Sequence, residues 1–213
     1  MSDRRQVSAV VFDMDGTLFD SAAVVTAAYI DTVVTCGGGR YATDDIVAAY
    51  PLGPPATILA HLLGRACRDS ELESYHERLR TLAAGVAVYP GLVEALAELA
   101  PRVQLAVATG ASVQALEILL GAAGLSPFFA PVAGGDEVVR PKPAPDGIRL
   151  ACARLGVRPR DTAYVGDAAA DLEAAPEAGA LAVAAGWGHL YCEQHPAERV
   201  LREPRELATL VSR

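Results

Sequence analysis

A chain of 213 residues, 52% hydrophobic and 21% charged, holds enough apolar material for a core, or a core with a smaller insert, and too much for a disordered segment. Its formal net charge of -8 argues against a nucleic-acid surface, because phosphate backbones recruit an excess of Lys and Arg. No apolar run approaches the roughly 18 uninterrupted residues that crossing a bilayer needs, so no membrane span is expected.

The opening MSDRRQ has no apolar leader and is read as the start of a protein without a signal peptide. Val7 to Phe12 follows, rich in β-branched residues, and reads as a buried parallel strand running into the acids of FDMDGT. Ser21 to Thr35 lacks Gly and Pro and predicts a helix, with Ser21 as N-cap and the CGGG at Cys36 to Gly39 as its stop. Further helices are predicted at Asp44 to Ala49, Ala56 to Leu63 and Asp69 to Ala83, with PLGPP, Pro51 to Pro55, as a loop between two of them. Residues of about 21 to 85 thus read as all-helical.

Beyond the YPG turn at Tyr89 to Gly91 the texture changes. Helices are predicted over Leu92 to Ala100, Val113 to Ala123, Pro143 to Leu155, Asp171 to Ala178 and Pro204 to Val211. They alternate with strands over Val103 to Ala108, Pro131 to Ala133, Thr162 to Val165 and, as the last strand, Leu181 to Ala184. Strands alternating with helices imply an α/β protein with a parallel sheet core. The expected organisation is a core of residues 1–20 and 86–213 with the all-helical segment 21–85 inserted after the first strand.

Ligands of open parallel sheets gather outside the carboxyl ends of the strands. The residues at those ends are Asp13 and Asp15, then Thr109 and Gly110, then Gly166 and Asp167 with Asp171 four residues on; Lys142 sits in the turn RPKPAP. Asp13 and Asp15 are one residue apart and repel unless something positive lies between them. Together with Asp167 they form a hard oxygen set suited to Mg²⁺, and Lys142 adds one more positive charge, so a phosphate dianion can be received despite the overall negative charge.

The stretch DMDGT resembles the signature of the haloacid dehalogenase-like hydrolase superfamily, an Asp-x-Asp-x-Thr at the end of a strand. Thr109, Lys142 and the pair Asp167 with Asp171 resemble its second, third and fourth motifs, in order, so the likeness extends from Val7 to the C-terminus. It implies a Rossmann-like sheet with helices on both faces. The inserted segment resembles the helical cap of the phosphoglycolate phosphatase and β-phosphoglucomutase branch. It implies Asp13 as nucleophile, Asp15 as acid and base with its backbone carbonyl on the metal, Thr109 and Gly110 as phosphate binders, and Lys142 as charge-offsetting cation. Asp167 is implied as a metal ligand, with Asp171 joining it or orienting its water shell. Two departures stand out. Gly110 replaces the common Asn after the second-motif Thr, and Ala168 replaces a hydroxyl residue after Asp167, so one hydrogen bond near the metal must come from elsewhere.

The resemblance therefore implies a Mg²⁺-dependent cytoplasmic phosphatase acting on a small phosphorylated metabolite such as 2-phosphoglycolate. A sugar-phosphate mutase uses the same aspartyl-phosphate and is the alternative. A dehalogenase needs no acid at Asp15, and a phospho-Asp receiver module has about 120 residues and no helical insert. Cys36, Cys67, Cys152 and Cys192 form no CxxC pair or zinc spacing and read as reduced thiols. His61, His76, His189 and His195 are scattered and read as structural or surface residues, as do Arg40, Arg65 and Arg68 of the insert. Trp187, in AGWGHL, either closes the sheet edge or resembles the TWG segment of phosphoglycolate phosphatases; PLGPP resembles the cap's specificity loop.

Overall fold

The structure, a computed structural model, describes residues 6–211; nearly all of the MSDRRQ start lies outside them. In chain order its first half comprises strands β1 (Ala9–Phe12) and β2 (Phe19–Asp20), helices α1 (Ala22–Thr35), α2 (Thr43–Ala49), α3 (Pro55–Leu63) and α4 (Asp69–Leu82), and strand β3 (Ala87–Val88). There follow α5 (Leu92–Leu99), β4 (Gln104–Ala108), α6 (Val113–Ala122), β5 (Val132–Ala133), α7 (Asp146–Leu155), β6 (Thr162–Gly166), α8 (Ala169–Ala178), β7 (Leu181–Ala185), β8 (Arg199–Leu201) and a 3-10 helix over Pro204–Leu210.

Six strands form one sheet in the order β5-β4-β1-β6-β7-β8, every pairing parallel. β1 lies in the middle, hydrogen-bonded on both edges and covered on both faces, which is why all of AVVF is apolar and buried. Alternation divides the core. Val10, Phe12, Leu105, Val107 and Val165 face one layer, which includes Leu92 and Leu96 of α5 and Leu116 and Leu119 of α6. Val11, Ala106, Ala108 and Tyr164 face the other, with Ile148 of α7 and Leu172 and Ala175 of α8. The doubly covered parallel sheet expected from the sequence is present.

The structure corrects several local expectations. Phe19 pairs with Val88 and Asp20 with Ala87, so an antiparallel ribbon of two residues per strand, β2–β3, joins the chain entering the helical segment to the chain leaving it. Runs that short carry no period. β8 adds an edge strand beyond the expected last one; only Leu201 of its three residues is buried, so no apolar alternation marks it. The closing segment is a 3-10 helix rather than an α-helix. The helix expected from Pro143 starts at Asp146, since its Pro-rich opening forms a turn. Ser21 does precede α1, but its hydroxyl makes no capping bond there and instead meets the Asp15 carboxylate.

Helices α1 to α4 pack around the stacked rings of Tyr29 and Tyr75, with centroids 4.4 Å apart and planes at 28°, and around the buried Ile46, Leu59 and Leu79. Truncating either leucine to Ala would cost roughly 2–5 kcal/mol. Their apolar cluster is continuous with that of the sheet layer. Where α4 meets α6, an exposed bond from Gln114 Nε2 to Glu73 Oε2 at 3.3 Å lies beside a buried polar pair. His76 of α4 is buried, its Nε2 lies 3.0 Å from the Ser112 hydroxyl, and that hydroxyl accepts the Ala115 N–H to cap α6.

Burial pulls the His76 imidazole below its ordinary pKa, offset by Glu73 and Asp136 and reinforced by Arg80. The folded state therefore resists a proton that the unfolded chain accepts. Stability from this site is complete above the unfolded value, about 6.5, and declines as pH falls through the lower folded value. His76→Gln should accordingly melt below the wild type at about pH 7.5, with the gap in thermal midpoint narrowing toward about pH 5. A gap that stayed constant would assign His76 a packing role alone.

Candidate active site

The strand order doubles back at β1: the chain runs outward from β1 to β4 and β5 on one side, then returns to β6, β7 and β8 on the other. Such a switch point opens a crevice at the carboxyl edge. Asp13 is the first residue beyond β1, its N–H donating to Val165 of β6 at 2.8 Å. Thr109 leaves β4, its N–H bonded to Ala133 of β5 at 3.0 Å, and Asp167 leaves β6. The sheet register itself brings together residues more than 150 positions apart.

Asp13, Asp167 and Asp171 are all buried, and one ligand oxygen from each lies within 4.8 Å of the others. Lys142 Nζ donates to Asp13 Oδ1 at 2.7 Å and to Asp171 Oδ1 at 2.6 Å. Burial raises the Asp13 carboxyl well above its usual range, Asp171 adds to the rise, and Lys142 opposes it. Burial raises Asp167 to about 6, partly offset by the Leu190 N–H. Burial also pulls against the Lys142 ammonium, but Asp13 and Asp171 outweigh it and hold the proton firmly. Three buried carboxylates around one ammonium leave negative charge uncompensated. Their all-oxygen donor set and mutual spacing fit a hard divalent cation such as Mg²⁺.

Each acid is held from outside itself. Asp171 is the third residue of α8 and accepts the Ala168 N–H at 3.1 Å, so it also caps that helix. Its Oδ1 takes Tyr164 Oη at 3.1 Å beside Lys142. The missing hydroxyl after Asp167 is replaced by the Leu190 N–H, 2.9 Å from Oδ2, and by Thr17 Oγ1 at the long distance of 3.5 Å from Oδ1. Gly16 (φ +79°) lies against the Asp167 carboxylate and Gly188 against its Cβ, so a Cβ at either would collide with it. Trp187 donates its indole N–H to the Thr17 carbonyl at 3.0 Å, tying the loop that carries Leu190 to the loop after β1.

Asp15 stands on the other side of Asp13, half-buried, its carboxylate in contact with the Ser21 hydroxyl. Burial raises its pKa, and the Ser21 hydrogen bond holds it back. A carboxyl shifted upward from its ordinary range holds a proton more readily, as a proton donor requires. A cavity of about 300 Å³ opens here, bordered by Asp13, Asp15, Thr109, Gly110 and Lys142 from the sheet edge. Tyr29, Tyr50 and Tyr75 form its far wall, with Pro51, Gly53 and Pro55 of the PLGPP loop. Burial drives all three phenols upward in pKa, with Asp15's charge contributing, so they remain neutral hydroxyls.

Every strand-end residue expected from the sequence borders this cavity or lies directly behind it. Arg65 is turned into a fork on Glu71, at 2.6 and 2.9 Å, and neither it, Arg68 nor Arg40 lines the cavity. The sequence does not single out Tyr164 or the three wall tyrosines, and it marks Ser21 only as an N-cap. Tyr164 carries a faint signal, because a tyrosine inside a fully buried strand needs a hydroxyl partner. Val25 and Tyr29, four apart on α1, share a helical face, but nothing in the sequence says that the face meets the sheet edge.

Comparison with known proteins agrees with this geometry. A family model described as haloacid dehalogenase-like hydrolase matches residues 7–179. A probable phosphatase, IndB, of Dickeya dadantii is 35% identical, over 84% of this chain and 81% of its own length. A phosphoglycolate phosphatase of Pectobacterium atrosepticum is 30% identical, over 91% and 86%. The crystal structure of CbbY from Rhodobacter sphaeroides in complex with phosphate superposes with a TM-score of 0.82 at 27% identity, over 95% of this chain and 96% of that one. The motif order, the switch-point crevice and the family match agree: the chain belongs to the haloacid dehalogenase-like hydrolases.

Proposed function

We propose that this haloacid dehalogenase-like phosphatase hydrolyses a small phosphate monoester through an aspartyl-phosphate on Asp13, with Mg²⁺ as cofactor. The observation that carries the reading is the meeting of Asp13, Asp167 and Asp171, two of them bonded to Lys142, beside a cavity that Asp13, Asp15 and Lys142 all line. Relatives named phosphoglycolate phosphatase, and a neighbour crystallised with phosphate, support phosphate esters of roughly 2-phosphoglycolate's size. Free thiols at all four cysteines support a reducing, cytoplasmic setting. In this reading residues 1–20 and 86–213 act as the hydrolase core and residues 21–85 as a cap over the cavity.

The Asp13 carboxylate attacks phosphorus in line with the ester oxygen. As the ester P–O bond breaks, Asp15 gives its proton to the departing oxygen and an alcohol leaves. Water then attacks the aspartyl-phosphate, Asp15 takes back a proton, and inorganic phosphate departs from a restored Asp13 carboxylate. The Thr109 hydroxyl and Gly110 N–H receive phosphoryl oxygens, and the Lys142 ammonium offsets their charge. Asp13, Asp167 and the Asp15 backbone carbonyl would hold Mg²⁺, which would supply further positive charge beside the phosphoryl group. Asp171, already occupied by Lys142, Tyr164 and the Ala168 N–H, serves mainly to orient that lysine and water around the metal.

Asp13→Asn should abolish phosphate release while the circular dichroism of the fold is kept; surviving turnover would remove Asp13 as nucleophile. Asp15→Asn should lose about 10²- to 10⁴-fold on alkyl phosphates. With p-nitrophenyl phosphate, whose phenolate leaves unaided, the same variant should give a burst of nitrophenol and then stall at the phosphoenzyme, because hydrolysis lacks its base. Chelation by EDTA should halt turnover and Mg²⁺ restore it. Trp187→Phe loosens the loop that carries the Leu190 N–H to Asp167, so it should raise the Mg²⁺ concentration needed for half-maximal rate more than it lowers the saturated rate.

A further inference from the structure

The cavity is chemically two-sided. Its floor holds every charged catalytic group. Its far wall, supplied by α1 to α4, the turn at Tyr50 and α6, is built from Val25, Val47, Ile58 and Leu119 between the three tyrosines. Lys142 is the only Lys or Arg among the described residues that line it, and its ammonium is already shared by Asp13 and Asp171. His189, with Leu190, is exposed at the rim. The arginines of the helical segment point elsewhere; Arg65, for one, is paired with Glu71. A second anionic group on the substrate would therefore lie against apolar side chains and near the Asp15 carboxyl, with no lysine or arginine free to meet it and only the exposed His189 at the rim. Burying an unpaired charge is among the most unfavourable arrangements a protein can hold.

One polar atom of the wall remains open. The Tyr29 and Tyr75 rings stack on each other, whereas Tyr50 Oη is buried with no hydrogen-bond partner. Buried hydroxyls are nearly always satisfied, so an orphan donor beside a cavity marks a place for a ligand atom. The volume, about 300 Å³, lies at the lower end for ligand pockets, about 300 to 1,000 Å³.

We infer that the leaving group is the neutral alcohol of a small ester, with an apolar side against the wall and one hydroxyl or carbonyl oxygen that takes the Tyr50 O–H. Tyr50 is thereby a specificity residue, and substrates with a second charge, carboxylate or phosphate, are selected against. This rests on the phosphatase reading above and narrows it, since 2-phosphoglycolate itself carries a carboxylate.

Three esters of nearly equal size separate the possibilities: 2-hydroxyethyl phosphate, propyl phosphate and 2-phosphoglycolate, each assayed for phosphate release with saturating Mg²⁺ at pH 8, with p-nitrophenyl phosphate as a control. The expected order of kcat/KM is hydroxyethyl, then propyl, then phosphoglycolate, with the last at least about tenfold below the first. Tyr50→Phe should shrink the advantage of hydroxyethyl over propyl by about 3- to 10-fold, chiefly through KM for the hydroxyethyl ester. Equal or faster turnover of 2-phosphoglycolate by the wild type would overturn the neutral-alcohol assignment and leave the phosphatase standing. An unchanged hydroxyethyl-to-propyl ratio in the variant would remove Tyr50 from specificity. Absence of phosphate release from all three esters and from p-nitrophenyl phosphate would overturn the phosphatase reading and this inference with it.

Discussion

The ammonium of Lys142 sits between Asp13 and Asp171, at 2.7 and 2.6 Å, and much of the carboxyl edge of the sheet is arranged around that contact. Two like unit charges about 4 Å apart repel by about 4 kcal/mol at an effective dielectric near 20. Burial, with the neighbouring Asp171 charge added to it, pushes Asp13 and Asp167 upward in pKa even with the lysine in place. The protein tolerates this locally because the acids are anchored by neutral donors: Tyr164 and the Ala168 N–H on Asp171, the Leu190 N–H on Asp167. A cluster with residual negative charge and fixed oxygens fits a divalent cation, and under the proposed function a cation held there would leave the cluster attractive to a phosphate dianion.

The topology explains how such a cluster can be assembled from scattered positions. β1 is the central strand, and its neighbours β4 and β6 come from sequence positions about one hundred and one hundred and fifty residues later. Their ends converge because parallel strands with right-handed crossovers all finish on one edge. The glycines near Asp167 are part of the same assembly. Gly16 and Gly188 come from opposite ends of the chain and both lie directly against it, so the loops after β1 and β7 close around one carboxylate. Trp187, bonded to the Thr17 carbonyl, locks those two loops together. Its bond thereby supports the loop that carries the Leu190 N–H to Asp167.

Legibility in the sequence followed the physics of each feature. The central strands were readable because a doubly buried strand must be continuously apolar, and the acids at their ends because apolar runs rarely finish in paired carboxylates. β8 and the β2–β3 ribbon were not, since strands of two or three residues with few buried side chains leave no period to detect. Ser21 illustrates a subtler loss. Its position before α1 suits an N-cap, but a nearby carboxylate competes for the same hydroxyl, and which one wins depends on where the chain turns after Asp15. Ala168 shows the reverse. Its missing hydroxyl was visible as a gap, while the replacements, Thr17 and the Leu190 N–H, lie 151 and 22 positions away and only the folded chain brings them in.

The division of labour between floor and wall follows from these facts. The acids of the floor and Lys142 are fixed by sheet register and by one another's charges, so they have little freedom to vary without losing the contacts of the lysine. Apart from Leu119 of α6, the wall is made by helices inserted between β2 and β3, joined to the core by two pairs of residues in a ribbon and by apolar packing that includes the buried His76–Ser112 contact. Side chains there can change without disturbing the acids, because no wall residue shares a hydrogen bond with Asp13, Asp167 or Asp171. Selection of the leaving group can thus drift while the chemistry of the floor stays constant, and in this chain the wall has settled on aromatic rings and one unspent hydroxyl rather than on a second cation.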